Sequence, residues 1–216
     1  VVIPFSSDLV LRDMDLGLLY VLALSVLSIL GLIMAGWGSA NKYGIIGGLR
    51  SAAQLISYEI PVVISLGSVM LLSGSLSLVQ VVEGQSVPYL LVLPLTFLIF
   101  MIGSSAELNR SPFDTMEAES EIVAGYHTEY SGMKFGMFLA TDFIETVLAA
   151  ALITTLFLGG WQVPFLGAEG FLFSGELWVS LSPVTVMFLQ VSAFLLKVSV
   201  LCFFMILVRW TLPRFR

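Results

Sequence analysis

The sequence predicts an all-α fold: a polytopic transmembrane helix bundle with five spanning helices and a short, helical, acidic cytoplasmic loop. Three observations carry that prediction. Charged residues make up 11% of the chain and apolar ones 58%, against about a quarter and about half in an average soluble domain. The mean hydropathy of +1.01 belongs to a chain dissolved in a bilayer. Five apolar runs are each long enough to cross a hydrocarbon core of about 30 Å, and none alternates apolar with polar residues, which excludes a membrane β-barrel.

Taken in order, the N-terminal Val-Val-Ile-Pro-Phe has no positively charged lead-in and no initiating Met. It reads as cut from a longer chain rather than as a signal peptide. The first spanning run covers residues 16–37 without a charge. Asn41, Lys42 and a glycine-rich connection lead to Arg50, and the second run, residues 52–72, contains Glu59. A loop of Ser, Gly and Gln follows. The third run, residues 88–106, starts at Pro88, a residue suited to a helix start because its missing N–H is not needed there. The acidic segment, residues 107–133, comes next. A fourth run, residues 134–158, carries Asp142 and Glu145 and closes at Gly159-Gly160-Trp161, where Trp161 is expected to anchor the chain at a membrane interface. The fifth, residues 182–210, carries Lys197 and ends in a basic tail. With no Pro/Ser-rich linker and no internal repeat, the whole of residues 1–216 reads as a single membrane domain.

The basic residues orient this arrangement. If each run crosses once, Lys42, Arg50, Arg110, Lys134 and Arg209 share one side, and Arg12 is the exception. The two connections on the other side, residues 73–87 and 159–181, contain no Lys or Arg. By the positive-inside rule the acidic loop faces the cytoplasm. A net charge of −6 argues against nucleic acid as a partner, since that needs clustered Lys and Arg. Cys202 and His127 are the single cysteine and histidine, too few for a Cys-ligated iron–sulfur cluster, a zinc site or a disulfide framework.

The candidate chemistry is acidic. Glu59 lies nine residues beyond Arg50, on the order of 13 Å deeper along a helix axis. Asp142 reaches a similar depth from Lys134, with Glu145 three residues further on the same helical face. An acid inside a spanning helix costs about 3 kcal/mol on lenient insertion scales and by default marks a pathway or proton relay. The plain alternative is a neutral acid hydrogen-bonded to a neighbouring helix. Lys197 is expected to pair with one of these acids. In the acidic loop, Asp114 and Glu117 fit a capping box opening a short helix after Pro112, with Glu121 on the face of Glu117. That leaves Glu119, on the opposite face, and the nearby Arg110 without a structural reason. Gly44, Gly47 and Gly48 lack the lysine and hydroxyl of a phosphate loop, so close helix packing is expected of them and of Gly31 and Gly36. His127 is more often a hydrogen-bonded structural residue than a ligand.

Two long motifs add a resemblance. NKYGIIGGLRSAAQLISYEIP (Asn41 to Pro61) and AELNRSPFDTMEAESEIVAGYHTEYSGMKFG (Ala106 to Gly136) closely resemble the quinone-tunnel membrane subunit of proton-pumping NADH:quinone oxidoreductase, respiratory complex I, and the similarity extends over essentially the whole chain. Against that family the chain reads as a central fragment lacking helices at both ends. The resemblance implies an enzyme subunit without a redox centre of its own, in a bacterial inner membrane. It implies a cavity through which a membrane quinone, the substrate, reaches an iron–sulfur cluster held by a neighbour. It also implies the start of a line of acids coupling quinone chemistry to proton pumping. No cofactor is expected on this chain; iron–sulfur clusters and flavin belong to partner subunits. The expected partners are the hydrophilic quinone-site subunits and the small membrane subunits.

Carried over by motif, Glu59, Glu107, Asp142 and Glu145 stand for the proton path. Arg110, Phe113, Asp114, Glu117, Glu119, Glu121 and Glu129 stand for the quinone cavity. Asp142 replaces the family's usual Glu and is one methylene shorter, which Glu145 one turn later is placed to offset. Two rival readings remain at this point. One is the homologous membrane subunit of an energy-converting hydrogenase or other ferredoxin-driven complex. The other is a stand-alone cation transporter, for which buried acids alone suffice.

Overall fold

The computed structural model describes residues 2–7, 9–109, 113, 125–164, 166–167, 170–173 and 176–213. The first run forms α1 (Gly17–Gly38) and the second forms α2 (Lys42–Ser73), which begins ten residues ahead of its apolar stretch. Asn41 explains the early start: its side chain accepts a hydrogen bond from the Tyr43 N–H at 3.1 Å, capping the helix through the glycine-rich segment. Pro61 sits inside α2. Gly74, at φ 68°, ends α2 in the left-handed conformation that glycine adopts without a Cβ penalty. A short helix α3 (Leu78–Glu83) follows, capped by the Ser77 hydroxyl.

The third run is not one helix. It is divided into α4 (Tyr89–Val92) and α5 (Pro94–Glu107), with Leu93 between them at φ −125°, ψ 61°. The ring of Pro94 disfavours helical geometry at the preceding residue, yet Pro94 itself opens α5 at a position where its missing N–H costs nothing. With 14 residues, α5 is about 21 Å long, short of the hydrocarbon thickness. A 3-10 turn, Gly125–His127, leads to α6 (Met133–Phe157). The final helix is α7 (Pro183–Thr211), opened by Ser182 and Pro183. Among the described residues, four helices, α1, α2, α6 and α7, are long and apolar enough to cross a membrane, and the chain is a multi-pass membrane protein built as a helix bundle. The connection between α6 and α7 contains a small antiparallel sheet, β1 (Leu166–Gly167), β2 (Gly170–Phe173) and β3 (Glu176–Ser180), paired in that order. The helical loop expected over residues 114–121 lies outside the described residues.

Glycines set a close helix contact. A methyl group on Gly36 of α1 would lie 2.9 Å from the Gly44 carbonyl oxygen and 3.0 Å from the Gly48 Cα, so α1 and α2 touch backbone to backbone there. Gly31 does not share this role, since nothing lies within 4 Å of the methyl it lacks.

The main core gathers where α2 ends, α6 ends and α7 passes its midpoint. Leu66, Val69, Ile153, Phe157, Phe194 and Val198 are buried there, and the Phe157 ring meets those of Phe97 and Phe100 at 5.5 and 5.6 Å. The last carbonyls of a helix have no partner within it, and at α6 side chains supply them. Gln85 Nε2 donates to Thr155 O and Leu156 O at 3.1 and 3.0 Å. Lys197 Nζ donates to Leu158 O, Gly160 O and Gln162 O at 2.9, 2.9 and 2.8 Å. An ammonium has three donors, so Lys197 is saturated by backbone carbonyls and does not pair with an acid as expected. Trp161 also departs from expectation: at 4% exposure it lies inside the protein, where the turn after α6 folds back under Lys197, instead of facing an interface.

Candidate functional site

Three acids from three helices meet on one cavity. Glu59 of α2, Glu107 at the end of α5 and Glu145 of α6 all line a space of about 280 Å³ between α1, α2, α5 and α6. Its wall is otherwise mostly apolar, with Leu22, Ile29, Leu55 and Phe100 among the lining residues. The local sequence explains each placement. Glu59 follows the buried face of α2 marked by Ala52, Leu55 and Val62. Glu107 closes α5, one residue after the fully buried Ala106. Glu145 sits one residue before the buried Thr146, at the start of the half of α6 that enters the core.

Hydroxyl groups complete the polar lining. Ser25 Oγ of α1 lies 3.3 Å from Glu59 Oε1, its single hydroxyl hydrogen shared with the Leu22 carbonyl at 2.8 Å, and Ser28 and Ser104 reach the same cavity. None of these serines stands out in a reading that follows charge. The available signal is Ser25 and Ser28 at a spacing of three in an otherwise apolar run, which puts both hydroxyls on one helix face. Asp142, one turn ahead of Glu145, is not among the described residues lining the cavity. Its backbone carbonyl accepts from Thr146 Oγ1 at 2.7 Å.

The expected quinone-cavity residues divide into two groups. Arg110, Asp114, Glu117, Glu119 and Glu121 lie outside the described residues. Phe113 and Glu129 are described, and both are held by α2 or its N-cap residue. The Phe113 carbonyl accepts from Gln54 Nε2 at 2.8 Å, and its ring meets Tyr58 edge-on at 5.4 Å. The exposed Glu129 accepts from Asn41 Nδ2 at 2.8 Å. His127 is buried in an aromatic cluster, its ring 3.8 Å from that of Tyr126 and 5.4 Å from that of Phe138. Burial holds its pKa below the ordinary 6.5 by disfavouring the charged imidazole.

Chemically, the cavity offers three carboxyl groups and several hydroxyls in an apolar wall. Carboxyls in such a setting can take up, hold and pass protons to one another or to enclosed water.

The family model for NADH dehydrogenase matches residues 1–216. The H-type subunit of NADH-quinone oxidoreductase from Dehalococcoides mccartyi strain CBDB1 is 45% identical over 214 residues, covering 99% of this chain and 54% of that relative. Its counterpart of the same name from Bacillus thuringiensis strain Al Hakam is 45% identical over 217 residues, covering 100% of this chain and 60% of its own length. The chain therefore spans between 54% and 60% of the length of these relatives.

Proposed function

Because the chain belongs to the NADH dehydrogenase family, we propose that it serves as a membrane subunit of a proton-pumping NADH:quinone oxidoreductase in a bacterial inner membrane. In this reading it forms the inner end of the quinone-access cavity and the first stretch of the acidic proton path. The observation that carries the reading is the convergence of Glu59, Glu107 and Glu145, from three separate helices, on one cavity in an apolar bundle. A single acid in such a bundle is compatible with a structural hydrogen bond. Three sharing a cavity multiply an insertion cost of about 3 kcal/mol each, a cost without return unless the carboxyls change protonation in use.

Reduction of a quinone to its quinol takes up electrons and protons together. In the proposed scheme the electrons come from an iron–sulfur cluster on a hydrophilic partner, and flavin chemistry lies further upstream. Phe113, Glu129 and the acidic connection, including Arg110, Asp114, Glu117, Glu119 and Glu121, bound the site that receives the quinone head. Charge developing there changes the protonation of Glu107, nearest in sequence. Glu59 and Glu145 pass the change into the bundle through the shared cavity, with the Ser25 hydroxyl orienting Glu59. Asp142, just outside the cavity lining, stands next in line on α6. The acidic connection faces the cytoplasm, where the hydrophilic subunits dock.

Glu59→Gln in the native assembly tests the scheme, because it keeps the side-chain shape and removes the exchangeable proton. Quinone-dependent NADH oxidation and proton pumping should both fall on the order of 100-fold, the scale of a lost proton-transfer group. NADH oxidation by an artificial acceptor should be unchanged. Retention of both quinone reduction and pumping at wild-type rates would overturn the scheme.

A further inference from the structure

Among the described residues, α2 meets the acidic connection at Phe113 and at the Gly125–His127 turn. At Gly47 the backbone of the Gly125–His127 turn sits directly on the helix: a methyl group there would lie 2.7 Å from the Tyr126 nitrogen and 2.8 Å from the Gly125 Cα. No side chain larger than hydrogen fits without moving the turn. Two helical turns further along, the Gln54 amide donates from Nε2 to both Ala106 O and Phe113 O at 2.8 Å. One side chain thus ties the end of α5 to the entry of the connection. Positions 47 and 54 are seven residues apart, on one face of α2 and about 10 Å from each other.

The exit end is fixed by more than Gly47. Tyr130 donates its hydroxyl to the Ala35 carbonyl at 2.8 Å, and Asn41 holds Glu129. At the corner between α1 and α2, Gly36 and Gly48 bring the two backbones together.

We propose that Gly47 and Gln54 are positioning residues for quinone binding: one face of α2 is the bed that sets both ends of the acidic connection and hence its fit to the quinone head. The inference rests on the reading of the connection as the quinone site. Neither residue touches the reacting atoms. Both act by seating described parts of the connection, Phe113 and the Gly125–His127 turn, on a single helix.

The test uses the whole assembly in lipid nanodiscs, with amide hydrogen exchange read by mass spectrometry on peptides covering residues 106–113 and 125–130. Gln54→Met keeps the side-chain length and removes both donors, so exchange in the first peptide should rise on the order of tenfold while the second keeps its protection. Gly47→Ala should do the reverse. In both variants KM for a short-chain quinone should rise several-fold with kcat changed far less, and oxidation of NADH by an artificial acceptor should be unaffected. If Gln54→Met does not assemble, Gln54→Glu, which keeps the shape and lacks the amide hydrogens, is read the same way. Unchanged exchange in both peptides overturns the pinning, whatever the rates. Raised exchange with an unchanged quinone KM leaves the pinning in place and overturns the assignment of this connection to quinone binding.

Discussion

Lys197 and the acid cavity are two ways of housing ionisable groups in the same apolar bundle, and they differ in what surrounds the group. Lys197 sits at the middle of α7 with each of its three donors on a backbone carbonyl. Its hydrogen-bonding capacity is used up, the partners cannot titrate, and the result is a latch between the end of α6 and α7. Glu59, Glu107 and Glu145 instead border an open space with hydroxyls nearby. Their surroundings leave room for water, for a second proton position and for each other. A charged residue in a membrane helix is therefore not by itself a sign of transport. What separates a latch from a relay is whether its partners are fixed carbonyls or other groups that can gain and lose protons.

The sharpest way to break this comparison is Lys197→Met, which leaves the three carbonyls without donors. At about 1–3 kcal/mol per unsatisfied buried group, partly offset by water entering the turn, stability should drop by about 3 kcal/mol. The measurement is thermal denaturation of the purified assembly. Molecules that remain folded should pump protons with the wild-type ratio to NADH oxidised. A changed pumping ratio at intact stability would make Lys197 part of the relay and erase the distinction.

A smaller effect is expected from Ser25→Ala, which removes the hydroxyl donor to Glu59. Loss of one hydrogen bond worth about 1 kcal/mol should slow quinone-coupled turnover several-fold and shift its pH profile, with the melting temperature nearly unchanged. A rate identical to wild type at every pH would remove Ser25 from the cavity's function.

The smallest effect concerns His127, outside the bundle's acid cluster. Its folded-state pKa is lowered by burial, so the unfolded chain binds the proton more tightly. The stability it supports is complete above the ordinary value near 6.5 and is lost as the pH falls through the lower folded-state value, at less than about 1.4 kcal/mol per pH unit. His127→Gln should flatten that acid limb in a denaturation series, whereas a steeper limb would mean that the charged imidazole is the form the fold prefers.

Much of this architecture is legible in the sequence where a hydrophobic boundary coincides with a cap. The fifth run, expected over residues 182–210, starts where Ser182 and Pro183 open α7. The start of α2 is hidden because a glycine-rich, polar segment reads as a loop until the Asn41 cap is given weight. The division at Leu93 escapes a reading in which length and apolarity, not the proline at 94, define the third run. In the cavity, Glu107, at the head of the acidic segment, is singled out only by the motif resemblance, whereas Glu59 and Glu145 stand out as charges in apolar runs. Ser25 does not, since serine is unremarkable in a membrane helix. Lys197 is legible as a buried cation, but its partners are not. A backbone carbonyl has no letter in a sequence, so a search for a counter-charge looks in the wrong place.

That last feature has an evolutionary consequence. Since Lys197 binds main-chain atoms, its hydrogen bonds do not depend on the side chains at 158 and 162, although Gln162 is constrained separately by the bond from its Nε2 to Val82 O at 2.7 Å. The constraint falls on conformation instead. Gly159 and Gly160 adopt positive φ values of 71° and 50°, and they turn the chain so that three carbonyls converge on one ammonium. Substitution tolerance around this lysine should accordingly be lowest at Gly159 and Gly160, whose backbone aims the carbonyls.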